Sequence, residues 1–199
     1  MTYDEIIKRA KLDDDNIICV YPYGSRVYGN SHKGSDYDFI VIVRVKETDQ
    51  FSDNLININY YTVQEHQQRL DDHEISALEC FFLIKNDYKV TMKFKFVLDI
   101  AKLRHSLSKK SSNSWVKCKK KLTIPQDYDI NIGKKSMFHA FRIIQFGIQI
   151  VTSNKIADYS ACNGLYDRIM TFYLWNDLYD EFKPEYNHLC TVFREITHK

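Results

Sequence analysis

The sequence predicts an α+β protein with a sheet-bearing first half, to about Leu98, and a helical second half. Short β-branched or alternating segments fall before that position, whereas apolar residues recur with helical spacing after it. The predicted domains are therefore residues 1–98 and 99–199. At 199 residues, of which 44% are hydrophobic, the chain is large enough to bury a core.

The first half carries clear start signals for helices and several strand-like segments. Thr2 with Glu5, and Thr62 with Glu65, form capping boxes, which predict an amphipathic helix near the start and another that reaches Leu70. The expected strands cover residues 17–23, 38–45, 54–61 and the alternating segment 89–96, and a further helix covers residues 75–84.

The second half has one long predicted helix, residues 133–152, and a helical, aromatic end. Its apolar stripe consists of Met137, Phe141, Ile144, Ile148 and Val151. Lys135, His139 and Arg142 lie on the opposite side. They either form an exposed polar face or bind the phosphates of a nucleotide, including the outgoing pyrophosphate.

A basic stretch from Lys102 to Lys121 precedes that helix. No acidic residue occurs between positions 100 and 126, where there are eight Lys or Arg. Two interpretations stay open: a solvated helix face, or a site for the phosphates of a nucleic-acid acceptor, with Trp115 available to stack on a base.

Composition excludes several classes of protein. The net charge of +2 does not by itself indicate an anionic partner, and no apolar run approaches the ~20 residues of a membrane span. The N-terminus lacks the pattern of a secretion signal. Five scattered cysteines without a Cys-x-x-Cys pair indicate reduced thiols, so a cytoplasmic, reducing location is expected. The oligomeric state is left open.

A glycine turn and two aspartates mark the candidate site. Asp36 and Asp38 are two residues apart at the start of a predicted strand, so both carboxylates point to the same face, where a divalent cation would offset their repulsion. Two solvated aspartates are the alternative. Gly24 and Ser25 follow the preceding strand and begin a short helix, whose free N–H groups suit a phosphate. The turn and the acid pair together favour a phosphate and metal site.

A P-loop is the rival interpretation of the same glycines. The segment "GSRVYGNS" nearly matches G-x-x-x-x-G-K-[ST], but Asn30 stands where the phosphate-binding lysine belongs. We therefore set the P-loop aside.

Gly24-Ser25 followed by Asp36-x-Asp38 resembles the signature of the DNA polymerase β-like nucleotidyltransferase superfamily. The form "GSRVYG…GSDYDF" is similar to small nucleotidyltransferases associated with RNA repair. This resemblance implies a mixed sheet flanked by helices in a catalytic domain, with the helical domain packed against it. It also implies Mg²⁺ or Mn²⁺ on Asp36 and Asp38. An NTP would bind at Gly24, Ser25, Arg26 and Ser35.

The chain departs from the family at the third carboxylate. The matching strand is residues 54–61, where Asn57 is the first candidate and Asn59 the second for the position at which an acid is expected. Asn57 is predicted as a weak metal ligand, because its carbonyl can contact Mg²⁺ but it is no base. Three carboxylates elsewhere are candidate substitutes, namely Asp53, Glu74 and Glu79.

Three functional hypotheses follow. The first is a metal-dependent enzyme that transfers a nucleoside monophosphate from an NTP to a hydroxyl, with RNA as one candidate acceptor. The alternative is a nucleotide- or RNA-binding homologue with little or no turnover, such as an antitoxin-like partner protein. A structural module with solvated aspartates is the third.

Overall fold

The computed structural model describes residues 1–198, which divide into two compact units. The first unit is Met1–Val97 and the second begins at Leu98. Strands occur in the first unit, and the described part of the second is helical. The α+β fold class is thus confirmed, including the helical second half. None of the helices formed by residues 1–198 is long and apolar enough to cross a lipid bilayer.

The sheet of the first unit has four strands in the order β1-β2-β4-β3. They are β1 (Ile17–Tyr23), β2 (Tyr37–Val43), β3 (Gln50–Ser52) and β4 (Ile56–Thr62). The pairs β1–β2 and β3–β4 are antiparallel, whereas β2 and β4 are parallel. The sheet is therefore mixed, and its parallel pair aligns the beginnings of two strands.

The strands β1 and β2 carry apolar side chains on both sides, and helices cover both faces of the sheet. One face packs on helix α1 (Tyr3–Ala10), and its core consists of Ile6, Ile17, Val20, Phe39, Val41, Val43, Ile56, Ile58 and Tyr60. The other face contacts helix α4 (Ile75–Phe81) and includes Ile18, Cys19, Tyr21, Ile40, Ile42 and Cys80. Since alternate residues share a face, Asp38 lies on the same side as Ile40.

Two further helices complete the first unit. Helix α2 (Ser25–Tyr28) follows the turn after β1, and α3 (Val63–Asp71) follows β4 directly. Both predicted capping boxes form: Thr2 begins α1, and Thr62 begins α3. Each threonine accepts from a backbone N–H in the first turn, which satisfies a donor that the helix leaves free.

Several predicted boundaries are wrong. The strand expected over residues 38–45 ends at Val43, and the helix expected over residues 75–84 ends at Phe81. Of the strand expected at residues 89–96, only Val90 forms a bridge, opposite Cys19. Phe94 packs on the core, but Val90 and Met92 are exposed, so the alternation is only half buried.

The described part of the second unit has four α-helices: α5 (Ile100–Thr123), α6 (Ile130–Ser153), α7 (Asn163–Met170) and α8 (Trp175–Ile196). Helices α5 and α6 run antiparallel, because Ser111 donates to the carbonyl of Ala140 while Gly133 packs on Leu122. The core of this unit contains aromatic residues, namely Trp115, Phe138, Phe141, Phe182 and Tyr186. All five cysteines are free thiols.

Candidate active site

Parallel pairing of β2 with β4 brings three polar side chains together. Asp38 is opposite Asn57 in the register, and Asp36 lies just before β2 on the same face. The Asn57 side-chain amide donates to Asp36 Oδ2 over 3.3 Å and to Asp38 Oδ1 over 3.1 Å. The amide nitrogen therefore lies between the two carboxylates and lessens their repulsion.

Ser52 fixes the orientation of that amide. Its hydroxyl donates to Asn57 Oδ1 over 2.5 Å, across the β3–β4 pair. The carbonyl oxygen is thus occupied while the nitrogen points at the carboxylates. Asn57 could act as the predicted metal ligand only if the amide turned over and gave up the bond to Ser52.

Gly24 lies directly against Asp38. Its φ is +77°, a conformation that favours glycine, and a Cβ atom placed there would be 2.3 Å from Asp38 Oδ2. The Gly24 carbonyl accepts from the N–H groups of Val27 and Tyr28, which forms the turn of α2. Ser25 is half-buried at the start of that helix. The glycine turn and the acid pair are therefore one compact arrangement.

Arg26 binds the loop that leads into β2. Its guanidinium donates to the carbonyl of Ser35 over 2.7 Å and to that of Asp36 over 3.3 Å. It also stacks on the Tyr37 ring, 3.6 Å from the ring centroid. The Ser35 hydroxyl accepts from the His32 N–H over 2.9 Å. Of the predicted nucleotide ligands, Arg26 thus contacts the loop and positions Asp36, and Ser35 bonds within the loop.

The candidate substitute acids have other partners. Asp53 accepts from the N–H groups of Leu55 and Ile56 and pairs with Arg9, whereas Glu74 pairs with Arg69. Glu79 is buried and accepts from the Tyr28 hydroxyl over 2.6 Å. Within residues 1–198, no group of three or more His, Cys, Asp or Glu side chains is placed to hold a metal ion, so no third acid joins Asp36 and Asp38.

The carboxylate oxygens of Asp36 and Asp38 are ligands that suit one hard cation. Two carboxylates on one face, beside a backbone turn that a side chain would block, leave positions for phosphate oxygens. Asp36 and Asp38 fit Mg²⁺ or Mn²⁺ in this sense. Ser52 and Tyr37, which orient Asn57 and Arg26, were missed by the sequence analysis because no motif marks them.

The other predicted nucleotide ligands lie on α6 of the second unit. Lys135 is exposed, His139 is half-buried, and Arg142 is only 2% exposed. Arg142 Nη2 lies 2.9 Å from His139 Nδ1. Burial, together with the charges of Arg142, Lys117, Lys135 and Lys110, lowers the pKa of His139 well below its ordinary value. An exposed polar face is therefore the wrong description of Arg142.

Trp115 is not available to stack on a base. It is 7% exposed, stacks on Tyr186 at 4.4 Å between centroids, and lies edge-on to Trp175. Many lysines of the basic stretch are exposed, including Lys109, Lys110, Lys117, Lys119 and Lys120. The aromatic part of the predicted acceptor site is therefore wrong, and its charged part stays a prediction.

Comparison with known proteins gives a family match for the first unit. Residues 4–97 match the family model of the nucleotidyltransferase domain. No curated protein matches the chain at a significant level. The matched range contains the glycine turn, both aspartates and the whole sheet. The match of residues 4–97 to the nucleotidyltransferase domain is consistent with a polymerase β-like nucleotidyltransferase.

Proposed function

We propose that the protein is a metal-dependent nucleotidyltransferase, which moves a nucleoside monophosphate from an NTP to a hydroxyl. The observation that carries the proposal is the contact of Gly24 with Asp38 inside a nucleotidyltransferase domain. Asp36 and Asp38 would hold Mg²⁺ or Mn²⁺, which when bound polarises the α-phosphate and steadies the charge on the leaving group.

The residues of the turn would hold the rest of the nucleotide. Backbone at Gly24 and the Ser25 hydroxyl would bind the β- and γ-phosphates, while Arg26 holds Ser35 and Asp36 in place. The acceptor oxygen forms a bond to the α-phosphorus as the bond from that phosphorus to the β-phosphate oxygen breaks. Pyrophosphate leaves with the electron pair, and the acceptor proton passes to solvent because the Asn57 amide is no base.

A nucleic acid is our proposed acceptor. The support is the row of exposed lysines on the outer side of α5, including Lys109, Lys119 and Lys120. Such a row would contact phosphates without reading sequence. Its binding should therefore weaken steeply as the salt concentration rises.

A second candidate function is nucleotide binding without turnover. It is favoured by the Asn57 amide, which already donates to both aspartates at the position where the family has a third carboxylate. Binding of Mg²⁺ and NTP would survive this replacement, whereas activation of the acceptor would suffer.

Labelled NTPs separate these functions. The protein is incubated with each α-labelled NTP, with Mg²⁺ or Mn²⁺, and with RNA, DNA, protein or small-molecule acceptors. Transfer by the wild type that is lost in Asp38→Asn but kept in Asp87→Asn, an exposed control, supports the enzyme. Metal-dependent NTP binding in calorimetry without transfer to any acceptor supports the second function. Neither binding nor transfer overturns both.

A further inference from the structure

One short turn is bonded to both of the strands that meet at the candidate site. It comprises residues 53–55, between β3 and β4. The Asp53 N–H donates to the carbonyl of Ile56 over 3.0 Å, which closes the turn at the start of β4. The Leu55 carbonyl accepts from the N–H of Tyr37 over 2.8 Å, and Tyr37 is the residue between the two aspartates. Any movement of the turn would therefore reach the starts of both strands.

The Asp53 side chain fixes this turn. One carboxylate oxygen, Oδ1, accepts from the N–H groups of Leu55 over 2.7 Å and of Ile56 over 2.9 Å. The other oxygen, Oδ2, lies 3.0 Å from Nε of Arg9 on helix α1. The bond from Ile56, then the bond from Leu55 and the charge of Arg9, lower the pKa of Asp53 below its ordinary value. The ionised carboxylate therefore joins the turn to the first helix.

The short strand β3 depends on such a fixed turn. It has only three residues, Gln50–Ser52, so few ladder bonds oppose a shift of its register. A shift by one residue would move the Ser52 side chain to the opposite face of the sheet. Ser52 would then no longer donate to Asn57 Oδ1, and the amide that contacts both aspartates would be free to turn. The turn therefore determines how firmly the amide is held.

We propose that Arg9 and Asp53 are positioning residues, which hold the Asn57 amide against the two aspartates and so restrain metal binding. The ion pair of 3.0 Å fixes the turn, the turn fixes the neighbouring Ser52, and Ser52 orients the amide. Because the amide donates to oxygens that a cation would use, loosening it leaves those oxygens to the cation. The metal part of this inference rests on the proposed function, whereas the hydrogen bonds need no metal.

The first measurement uses neither metal nor nucleotide. Nuclear magnetic resonance of the full chain follows the exchange of the Asn57 side-chain amide protons with solvent. Arg9→Gln and Asp53→Asn each remove the ion pair, and the new side-chain carbonyl at position 53 can still accept from the turn. Because a partly exposed ion pair contributes modestly, we expect exchange to become about threefold faster in each variant. The double variant should match the single ones, since both residues act through one contact.

Two further variants show whether the effect is specific. Arg69→Gln is the matched control, because it breaks another ion pair of the first unit, with Glu74 at 2.7 Å and at similar exposure. It should leave the exchange of the Asn57 amide unchanged. Ser52→Ala removes the link between the turn and the amide. In that background Arg9→Gln should have no further effect.

Mn²⁺ titration followed by electron paramagnetic resonance tests the restraint on metal binding. We expect Arg9→Gln and Asp53→Asn to bind Mn²⁺ about threefold more tightly than the wild type, and to add nothing in the Ser52→Ala background. Weaker binding in either variant, or the same gain in Arg69→Gln, would overturn the restraint.

Unchanged amide exchange in both ion-pair variants would overturn the positioning role itself. If the wild type binds no Mn²⁺, the proposed function fails, while the exchange measurement still decides whether Arg9 and Asp53 position the amide. The two failures are therefore distinguishable.

Discussion

Asn57 donates a hydrogen bond of 3.1 Å to Asp38, its register partner on the neighbouring parallel strand. A neutral amide thus lies where a nucleotidyltransferase of this superfamily is expected to have its third acid. The pair of aspartates is compensated before any cation arrives. Metal binding must therefore compete with an existing hydrogen bond.

Replacing Asn57 by aspartate should strengthen metal binding. In Asn57→Asp the amide donors are lost and a third anion joins the pair, so Mn²⁺ affinity should rise at least about tenfold, or ~1.4 kcal/mol. Titration followed by electron paramagnetic resonance measures this. Asn59→Asp, two residues along the same strand, is the matched control and should change affinity little. Equal gains in both variants would show only a general effect of charge.

Gly24→Ala should disable the site. The substitution places a Cβ 2.3 Å from Asp38 Oδ2 and forces on alanine a φ/ψ combination that is nearly restricted to glycine, at about 1–3 kcal/mol for the backbone alone. We expect Mg²⁺-NTP binding to be lost in calorimetry. Gly164→Ala meets nothing within 4 Å on helix α7 and should be neutral or slightly stabilising. Normal NTP binding by Gly24→Ala would contradict the close contact.

Arg26→Lys tests whether Arg26 positions the loop or binds the nucleotide. Lysine keeps the charge but lacks the planar group that contacts two carbonyls and stacks on Tyr37. A positioning role predicts that the Ser35 amide exchanges with solvent at least about tenfold faster in the free protein.

The matched control is Arg44→Lys, because Arg44 also donates to a backbone carbonyl, that of Asp15, over 3.1 Å. It should leave the Ser35 amide unchanged. If Arg26→Lys lowers NTP affinity without any change in exchange, Arg26 is a direct ligand, as the sequence analysis predicted.

His66 should make the first unit sensitive to acid. Burial lowers its pKa to about 4, and the ring stacks on Tyr21 and lies edge-on to Phe94. Between pH 6.5 and 4 the unfolded chain therefore binds more protons than the folded one. The contribution of neutral His66 to the free energy of unfolding is therefore full above this window. It decreases as the pH drops through the window, by at most about 3 kcal/mol.

Hydrogen-exchange protection factors of the β1 and β2 amides measure this dependence. Tryptophan fluorescence would not report on the first unit, because Trp115 and Trp175 both lie in the second. His66→Leu should flatten the loss of protection in acid, whereas exposed His188→Gln should retain it. An unchanged acid dependence in His66→Leu would place the sensitive group elsewhere.

The sequence allowed the strands and the acid pair to be predicted because their signals are local. Residues 17–23 form β1 as expected, and the spacing of Asp36 and Asp38 determines their shared face. The orientation of Asn57 could not be predicted, since it depends on the register that brings Ser52 opposite. Short β3 itself carries no clear pattern.

The burial of Trp115 is a different case, because the spacing of residues along α5 could have predicted it. Leu103, Leu107 and Ser111 precede it at four-residue intervals, and all are buried with it on α5. The many lysines around this stripe instead favoured the prediction of a basic face with an exposed Trp115. At residues 89–96 the opposite occurred: the alternation was clear, but β1 accepts only a short pairing at Val90.

Because Gly24 lies against the Asp38 side chain, the residue that is allowed at each of these two positions depends on the other. A larger residue at position 24 fits only if the residue at position 38 shrinks, and shrinking it discards the acid. A substitution at position 24 therefore disturbs the glycine turn and the acid pair together. In a library randomised at both, selection for nucleotide use should return glycine and aspartate together, never one alone.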